Sequence, residues 1–324
     1  MDFMHPAKDS IPDVELERYE QTNFYAIEMK VNGTRSMIIK SASGSISIPN
    51  RRDVDYAELQ NLPELMIMAM RMPNDTVLDV ELACLDKDGR ADTYEARVKT
   101  TSRCGTENQG RIPTLMKETP IYAFAFDIIR VNGIDVSNAT YLERKLLLKN
   151  VVEQVNSPHL KLVWYVQSGF RDFYNQQAEG VVMKIIDSKY VEGRWNSWLK
   201  CKHFQYAWCS VAGYTEGKGR NQQFFGALIL LNDTGDYVGK VGCSGFNDYD
   251  KMRVKQLLYA STPTMPSFQL RSKVGESFTA VTTDLKVQVR YTELTDSGLF
   301  YQPVKVAVLG LPERKLQIPF FING

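Results

Sequence analysis

The sequence predicts an α+β fold in two domains, and three observations support this prediction. Apolar and alternating stretches separated by turn residues recur over the first part of the chain and indicate an antiparallel sheet. A proline start and a capping box between these stretches indicate helices. After Lys202 the pattern changes to short strands punctuated by glycine, which predicts a second domain. We expect the two domains to span residues 1–204 and 205–324.

The elements of the first domain follow from local signals. Asn32-Gly33 is typical of a two-residue hairpin turn, which would join a strand over Phe24–Met29 to a return strand over Ser36–Ile39. Pro63 at a first helical turn predicts a helix that continues to Met72. Thr140-Tyr141-Leu142-Glu143 is a capping box and predicts a helix to about Gln154. The other predicted elements are strands over 76–85, 121–131, 162–166 and 180–186, and a helix over 170–177.

The second domain is expected to be a small five-stranded barrel of the OB type. Its apolar segments over 211–214, 226–230, 237–242 and 285–290 are short and separated by glycine or polar turns. A helical period occurs only over about Tyr249–Ala260. Many short strands with a single helix suit such a barrel.

Composition excludes several classes of protein. With 44% hydrophobic and 24% charged residues among 324, the chain is typical of a globular protein with room for two cores. Five cysteines without a Cys-x-x-Cys pair argue against a disulfide framework or a zinc site, and three scattered histidines argue against a histidine-based metal centre or triad. No segment approaches the roughly 18 apolar residues of a membrane span, and no secretion signal is seen. We therefore expect an intracellular protein that does not associate with membranes.

Lys30 is a candidate nucleophile because it follows the first strand and lies close in sequence to the cation Arg35. Taken alone, this pattern is more typical of a solvated surface lysine before a turn. A net charge of +1 does not exclude a nucleic-acid ligand, since a basic stripe can be balanced by acidic surface elsewhere. The wider context of Lys30 therefore decides its interpretation.

Six short segments occur in a fixed order along the chain and together resemble the ATP-dependent DNA ligases, members of the covalent nucleotidyltransferases. Two connecting stretches, 141–145 and 213–220 with 226–228, are also similar to ligases, and the resemblance covers nearly the whole chain. It implies an antiparallel-sheet adenylation domain of ATP-grasp-like type over 1–204, followed by the OB-fold domain over 205–324. The six segments are Lys30–Arg35, Asn50–Arg52, Asp79–Leu82, Phe124–Ile128, Glu179–Lys184 and Trp198–Lys202.

The resemblance implies three catalytic residues. Lys30 would attack the α-phosphate of ATP and carry AMP covalently. Lys200 and Lys202, on one face of a strand because strand periodicity is two, would disfavour the charged form of Lys30 together with Arg35. The same cations would neutralise the charge that develops in the transition state.

The resemblance also implies nucleotide, DNA and metal contacts. Phe126 would stack on adenine, Glu28 would read the adenine amino group, and Lys184 would face the same nucleotide. Glu179 would bind Mg²⁺, or Mn²⁺ in its place, because carboxylate oxygens are hard ligands. Each of these residues, taken alone, has an ordinary core or surface role as its alternative. The other assignments are Arg35 to the nucleotide, Glu81 to the ribose hydroxyl or the metal, Arg51 to the 5′-phosphate of a nick with Arg52 as the alternative, and Asp79 to a structural role.

The chain departs from the family pattern at two places. Asn32 stands where the family usually has aspartate, so a charge-based role at that position is lost. The basic Arg-x-Asp-Lys motif that orients the pyrophosphate of ATP in the family is not visible after Pro303, where Val304–Val308 stands instead. The nearest basic substitute is Glu313-Arg314-Lys315. The departures concern how ATP is activated.

These features predict an ATP-dependent DNA ligase that seals 5′-phosphate/3′-hydroxyl nicks in double-stranded DNA through lysyl-AMP and an adenylated DNA end. We expect a monomer that uses ATP and Mg²⁺. An RNA ligase or a capping-type nucleotidyltransferase is the alternative within the same chemistry. A non-catalytic OB-fold module that binds nucleic acid is the alternative outside enzymes.

Overall fold

A computed structural model describes residues 3–266 and 277–309 of the chain. The chain divides between His203 and Phe204 into two compact units, which we call the N-terminal unit and the C-terminal unit. The strands of the N-terminal unit are β1 (Met4–His5), β2 (Tyr25–Met29), β3 (Thr34–Lys40), β4 (Ile46–Ser47), β5 (Thr76–Ala83), β6 (Tyr122–Val131), β7 (Ile134–Asp135), β8 (Leu160–Leu162), β9 (Tyr165–Val166), β10 (Gly180–Ile185), β11 (Gly193–Arg194) and β12 (Trp198–Lys202). Its helices are α1 (Leu16–Gln21), α2 (Tyr56–Leu59), α3 (Pro63–Met70), α4 (Tyr94–Cys104), α5 (Ile112–Glu118), α6 (Tyr141–Val155) and α7 (Phe170–Asn175).

Two mainly antiparallel sheets organise the N-terminal unit. The larger sheet has the strand order β4-β3-β5-β6-β7, with β8 pairing in parallel against β6. The smaller sheet has the order β12-β10-β2-β9 and is antiparallel throughout. The combination of antiparallel sheets with separate helices confirms the α+β class that the sequence predicts.

The predicted hairpin at Asn32-Gly33 is wrong, because the chain crosses here from one sheet to the other. β2 pairs with β10 and β9, whereas β3 pairs with β4 and β5. Neither Asn32 nor Gly33 has the positive φ angle that a type I′ turn requires. A Cβ atom on Gly33 would lie 2.1 Å from the carbonyl oxygen of Leu82 in β5. Glycine is therefore needed at this position for close packing between segments and not for a turn.

Helix α6 begins at the predicted capping box and packs on the larger sheet. Thr140 accepts the amide N–H of Glu143 through its side chain, and the Glu143 carboxylate accepts the amide N–H of Thr140 at 2.8 Å. Leu148 and Val151 of α6 are buried with Leu78 of β5 in the main apolar cluster of this unit. The cap and the apolar face together fix where this helix starts and how it docks.

A buried ion pair joins α6 to the sheet beneath it. Arg144 and Asp127 of β6 form a bidentate pair, with distances of 2.7 Å from Nε to Oδ1 and 3.0 Å from Nη2 to Oδ2. Arg144 also donates to the carbonyl oxygens of Ala139 and Ser188. Both charged side chains are almost completely excluded from water. Each depends on the other, because a buried charge without a partner is strongly unfavourable.

The first residues of the chain form an extended segment, residues 3–11, which we call the strap. Its strand β1 pairs in parallel with β11. The amide of Ala7 donates to the carbonyl of Trp198 at 2.8 Å, and the amide of Ile11 donates to that of Lys200 at 2.9 Å. The strap therefore covers the outer edge of β12, which no other strand pairs within the described residues.

The C-terminal unit contains an antiparallel sheet and one longer helix. Its strands are β13 (Gln205–Glu216), β14 (Phe225–Leu231), β15 (Tyr237–Gly242), β16 (Thr279–Ala280), β17 (Lys286–Tyr291) and β18 (Val304–Leu309), and its helix is α8 (Asp248–Ala260). The strand order is β15-β14-β13-β17-β18, with β16 pairing against β13. The described residues form an open ladder and not a closed barrel. The helix predicted over about Tyr249–Ala260 is confirmed as α8.

Among the described helices of the whole chain, none has the length and hydropathy to cross a bilayer.

We expect Arg144→Met to lower the free energy of unfolding by about 3–5 kcal/mol, because it leaves the Asp127 carboxylate buried without its partner. Urea unfolding measures this loss. Lys149→Met on the same helix is the matched control, since it removes an exposed pair with Glu153 and should cost about 0.5 kcal/mol or less. Equal small losses in the two variants would contradict the importance of the buried pair.

Candidate active site

Lys30 lies directly after β2, at the point where the chain leaves the smaller sheet. Its amide donates to the carbonyl oxygen of Gly180 at 3.0 Å, which fixes the backbone of Lys30 against β10. Its Nζ lies 3.0 Å from Oε1 of Glu179. The side chain is 24% exposed, so the amine is held by a buried carboxylate and can still be reached from outside.

Glu179 accepts from two lysines at once. The same Oε1 that contacts Lys30 lies 2.7 Å from Nζ of Lys202. Burial alone would raise the pKa of Glu179, but the charges and hydrogen bonds of Lys30 and Lys202 outweigh burial and hold that pKa below its ordinary value. Glu179 is therefore ionised in this arrangement and links two of the three predicted catalytic residues.

Gly180 allows this contact to form. Its φ angle is 112°, and a Cβ atom there would lie 2.2 Å from the carbonyl oxygen of Cys201. Any other residue would strain the backbone and push β10 away from β12. Because Gly180 is paired with Lys202 in this register, the close approach sets Glu179 beside Lys202.

A cavity of about 230 Å³, which we call the Lys30 cavity, brings the predicted site residues together. Glu179 does not line this cavity but contacts Lys30, which does. Residues distant in sequence thus meet around one amine. The lining includes the other predicted residues, which are Glu28, Lys30, Arg35, Arg51, Glu81, Phe126, Lys184, Lys200 and Lys202.

Lys200 is a partly buried cation that lines this cavity. Its pKa is lowered by partial burial and further by the nearby charges of Lys202, Arg194 and Lys30. No carboxylate forms an ion pair with Lys200 within the described residues. A cation crowded by like charges favours the arrival of an anionic ligand.

Glu28 sits in the floor of the cavity and is 2% exposed. Its Oε1 accepts the hydroxyl of Tyr141 at 2.7 Å and also forms an ion pair with Lys145. Its Oε2 lies 2.8 Å from Nζ of Lys184. Three donors occupy most of the acceptor sites of this carboxylate, and they fix its orientation toward the cavity.

Lys145 and Lys184 are two buried lysines that share Glu28. Both donate to the carbonyl oxygen of Phe126, at 2.8 Å and 3.2 Å respectively. The Nζ of Lys184 also lies 4.3 Å from the ring centroid of Trp198. Burial lowers the pKa of Lys145 to about 8 in spite of the opposing charge of Glu28. Two lysines on one carboxylate leave surplus positive charge beneath the cavity.

Arg35 forms a buried ion pair with Asp79. It contacts Asp79 with distances of 3.0 Å from Nε to Oδ1 and 2.5 Å from Nη2 to Oδ2. The hydroxyl of Tyr190 also donates to Asp79 at 2.7 Å. The guanidinium group lies over the rings of Phe3 and Phe126, at 5.1 and 5.2 Å from their centroids. Arg35 therefore supports the wall of the cavity through its pair with Asp79.

Glu81 and Glu179 are the carboxylates available to a metal at this site. Burial raises the pKa of Glu81, while the charges of Lys30, Arg35 and Arg51 oppose the rise. No group of three or more histidine, cysteine, aspartate or glutamate residues suited to a metal occurs in the described part of the chain. Mg²⁺ commonly binds through one or two carboxylates plus substrate phosphates. Two glutamates therefore fit a Mg²⁺ ion that arrives with a nucleotide.

Asn32 has a role that an aspartate could not fill. Its amide N–H donates to the carbonyl of Ala91 at 3.0 Å, and its side-chain Nδ2 donates to the carbonyl of Thr93 at 3.4 Å. A carboxylate has no proton to donate to the second carbonyl. Asn32 therefore attaches the loop that carries Lys30 to the residues preceding α4.

Several residues of this site are not predicted by the sequence. Lys145 and Tyr190 are two of them, although Lys145 lies in a stretch that is similar to ligases. His5 and Pro6 of the strap also line the Lys30 cavity. The dipeptide His5-Pro6 carries no local signal of its own, because only the pairing of the strap with β12 brings it to the site.

The sequence of this chain is similar to those of known DNA ligases. The family model described as "ATP dependent DNA ligase domain" matches residues 6–202. The multifunctional non-homologous end joining protein LigD of Mycobacterium bovis is 26% identical over 290 residues, covering 86% of this chain and 35% of the relative. A DNA ligase of Thermoplasma volcanium is 28% identical over 235 residues, covering 64% of this chain and 38% of the relative. The chain thus spans little more than a third of the length of these curated relatives.

Solved structures share the fold. A Lig E DNA ligase described as binding DNA with a minimal scaffold matches with a TM-score of 0.64 at 17% identity, covering 95% of this chain and 99% of that one. The ligase domain of LigD from M. tuberculosis matches with a TM-score of 0.50 at 21% identity, covering 95% and 94% of the two chains. At these identities the likeness concerns the fold alone.

We expect the stability of the wild type relative to Lys145→Met to rise between about pH 8 and 10. The folded protein holds the pKa of Lys145 at about 8, below the ordinary lysine value of 10.5. In that window the unfolded chain binds more protons than the folded one, so stability increases with pH by at most about 1.4 kcal/mol per pH unit. Urea unfolding of both proteins across this range measures the difference.

Lys149→Met, which removes an exposed lysine from the same helix, is the matched control for that series. A difference between the wild type and Lys145→Met that falls or stays level from pH 8 to 10 would contradict the assignment of a buried lysine with a lowered pKa.

Proposed function

The chain belongs to the ATP-dependent DNA ligase family, and on that premise we propose that it seals nicks in double-stranded DNA. It joins a 5′-phosphate to a 3′-hydroxyl and consumes ATP. The observation that carries the proposal is the position of the Lys30 amine, 3.0 Å from Glu179 and accessible at a cavity lined by cations. A nucleophilic amine surrounded by cations suits attack on a phosphate, whose negative charge those cations attract.

In the first step, Nζ of Lys30 attacks the α-phosphorus of ATP. The new N–P bond forms as the bond from the α-phosphorus to the bridging oxygen breaks, and pyrophosphate leaves with the electron pair. The amine loses a proton and Lys30 becomes AMP-lysine. Lys200 and Lys202 stabilise the negative charge that builds on the α-phosphate oxygens.

In the second step, an oxygen of the DNA 5′-phosphate attacks the same phosphorus. The N–P bond breaks, the Lys30 nitrogen takes up a proton, and AMP is transferred to the DNA end. In the third step, the 3′-hydroxyl attacks the 5′-phosphate, a phosphodiester forms and AMP leaves. Arg51, which is exposed and lines the cavity, holds the 5′-phosphate.

The remaining residues hold the nucleotide. Phe126 offers a ring for stacking on adenine, and Glu28 presents a fixed carboxylate to the adenine amino group. Lys184 contacts the same nucleotide from the floor of the cavity. Glu81 and Glu179 bind Mg²⁺, which when present neutralises charge on the phosphates. Mn²⁺ is a chemically similar replacement for it.

The domain organisation forms part of the proposal. Residues 1–204 act as the adenylation domain and residues 205–324 as an OB-fold domain. Although the described strands form an open ladder, the amide of Phe300 donates to the carbonyl of Val238. This hydrogen bond supports the assignment, because it brings the segment before β18 to the opposite edge strand β15. We propose a monomer that acts inside the cell, where ATP and DNA occur together, with a role in DNA repair suggested by relatives named for end joining.

We expect Lys30→Ala to abolish covalent labelling by ATP that carries a radioactive α-phosphate, because it removes the amine that lies 3.0 Å from Glu179 and from which attack occurs. Gel electrophoresis of the denatured protein measures the label. Lys8→Ala, which removes an exposed lysine of the strap, is the control and should be labelled like the wild type. Full labelling of Lys30→Ala would refute the assignment of the nucleophile.

We expect the labelled protein to transfer its AMP to a nick in DNA in preference to a nick in RNA, and to take its label from ATP at least about a hundredfold better than from GTP. The Glu28 carboxylate accepts the amino group of adenine and repels the carbonyl oxygen at the same place on guanine. Single-turnover chases with each substrate measure the preferences. Discharge on RNA alone, or equal labelling by GTP, would favour an RNA ligase or a capping-type enzyme instead.

A further inference from the structure

A second cavity, of about 620 Å³, lies beside the Lys30 cavity, and we call it the arginine cavity. Arg51, Arg52 and Arg97 line it, and Glu107 is the acidic residue in its lining. The excess of guanidinium groups makes the cavity strongly positive, because arginine remains charged under all ordinary conditions.

The arginine cavity begins where the Lys30 cavity ends. Arg35 and Arg51 line both cavities. Gly33 and Thr34, in the loop that follows Lys30, line the arginine cavity as well. A ligand bound at Lys30 can therefore extend into the second cavity without leaving the N-terminal unit.

The effect of the surrounding charges on the pKa of Glu81 also indicates that cations from both cavities lie around this one carboxylate. Burial raises the pKa of Glu81, and the charges of Lys30, Arg51 and Arg97 each act against the rise. The two cavities therefore share one field of positive charge.

The guanidinium groups of Arg51, Arg52 and Arg97 have N–H donors that form no hydrogen bond with other described residues. Arg97 lies on α4, and its Nη1 donates to the carbonyl oxygen of Gly33 and to Oγ1 of Thr34. Its Nε and Nη2 have no partner within the described part of the chain. Arg51 and Arg52 are exposed, and neither side chain forms a hydrogen bond or ion pair with another described residue. Unused forked donors match the oxygens of a phosphate.

The pyrophosphate portion of ATP lacks the basic motif that the family pattern provides for it. Val304–Val308, where a basic motif for pyrophosphate was expected, forms most of the apolar strand β18. The basic substitute Glu313-Arg314-Lys315 lies outside the described residues. We propose that the arginine cavity binds the pyrophosphate portion of ATP while Lys30 attacks the α-phosphate. This inference rests on the proposed function.

In-line displacement explains why one anion site is used twice. The attacking and leaving groups lie on opposite sides of the phosphorus, so pyrophosphate leaves on the side away from Lys30. In the next step Lys30 is the leaving group, and the DNA 5′-phosphate must enter from that same side. Pyrophosphate and the 5′-phosphate therefore occupy the arginine cavity in turn, with Arg51, Arg52 and Arg97 contacting each.

Reversal of the first step tests the site directly. Full-length protein carrying radioactive AMP on Lys30 is mixed with pyrophosphate, whose oxygen attacks the phosphorus. The N–P bond breaks, the nitrogen takes up a proton, and ATP is released. We expect the pyrophosphate concentration for half-maximal release to rise about tenfold in Arg52→Gln and in Arg97→Gln, since each removes one charged contact. Arg71→Gln, an exposed arginine outside the lining, is the control and should behave as the wild type.

Arg52→Gln is the cleaner variant, because Arg97 also supports the Gly33 carbonyl and its loss can shift the loop. A second arm of the experiment adds nicked DNA to the AMP-protein together with pyrophosphate. We expect competitive inhibition by a nick with a 5′-phosphate and none by a nick with a 5′-hydroxyl.

Three results would overturn the proposal. The first is that the pyrophosphate concentration for half-maximal release is unchanged in Arg52→Gln and in Arg97→Gln. The second is that this concentration rises in Arg314→Gln and Lys315→Gln alone. The third is that nicked DNA inhibits the release of ATP non-competitively. Absence of any label on Lys30 would instead refute the proposed function, so the two failures are distinguishable.

Discussion

The sharing of single buried carboxylates between pairs of lysines is the constraint on which the Lys30 cavity depends. Glu179 serves Lys30 and Lys202, and Glu28 serves Lys145 and Lys184. In each group two positive charges face one negative charge in a site with little water, where electrostatic interactions are stronger than in solution. An arriving anion balances this surplus. The fold thus holds these cations in place before any ligand arrives, which suits the phosphate ligands of the proposed reaction.

The walls of the cavity rest on close backbone contacts that only glycine permits. Gly33 approaches β5 and Gly180 approaches β12, each at a distance that leaves no room for a Cβ atom. These two contacts fix the backbone on either side of the Lys30–Glu179 ion pair. The position of the amine is therefore set by packing between strands, and the flexible lysine side chain spans only the final few ångströms.

Local signals in the sequence were sufficient for much of the fold. The capping box at Thr140, the helix over about 249–260 and the α+β class are confirmed because each depends on residues close together in the chain. The predicted hairpin at Asn32-Gly33 was wrong because this dipeptide occurs both in turns and in tight packing contacts. Which of the two forms depends on whether β3 belongs to the same sheet as β2, and here it does not. Nine of the predicted site residues line one cavity and Glu179 contacts Lys30 beside it, whereas Lys145, Tyr190, Arg97 and His5 were not identified. Their positions depend on pairings between distant segments, which spacing along the chain does not encode.

The strap has a consequence for how the protein behaves as a folding unit. By pairing with β11 and donating amides to β12, it occupies a strand edge whose unpaired peptide groups would otherwise be open to a strand from another molecule. The same few residues supply His5 and Pro6 to the cavity wall. Shortening or blocking the strap would therefore expose the edge of β12 to strand pairing between molecules and would also remove part of the cavity wall. Aggregation and weaker ligand binding are then expected together, because both depend on this one short stretch of backbone.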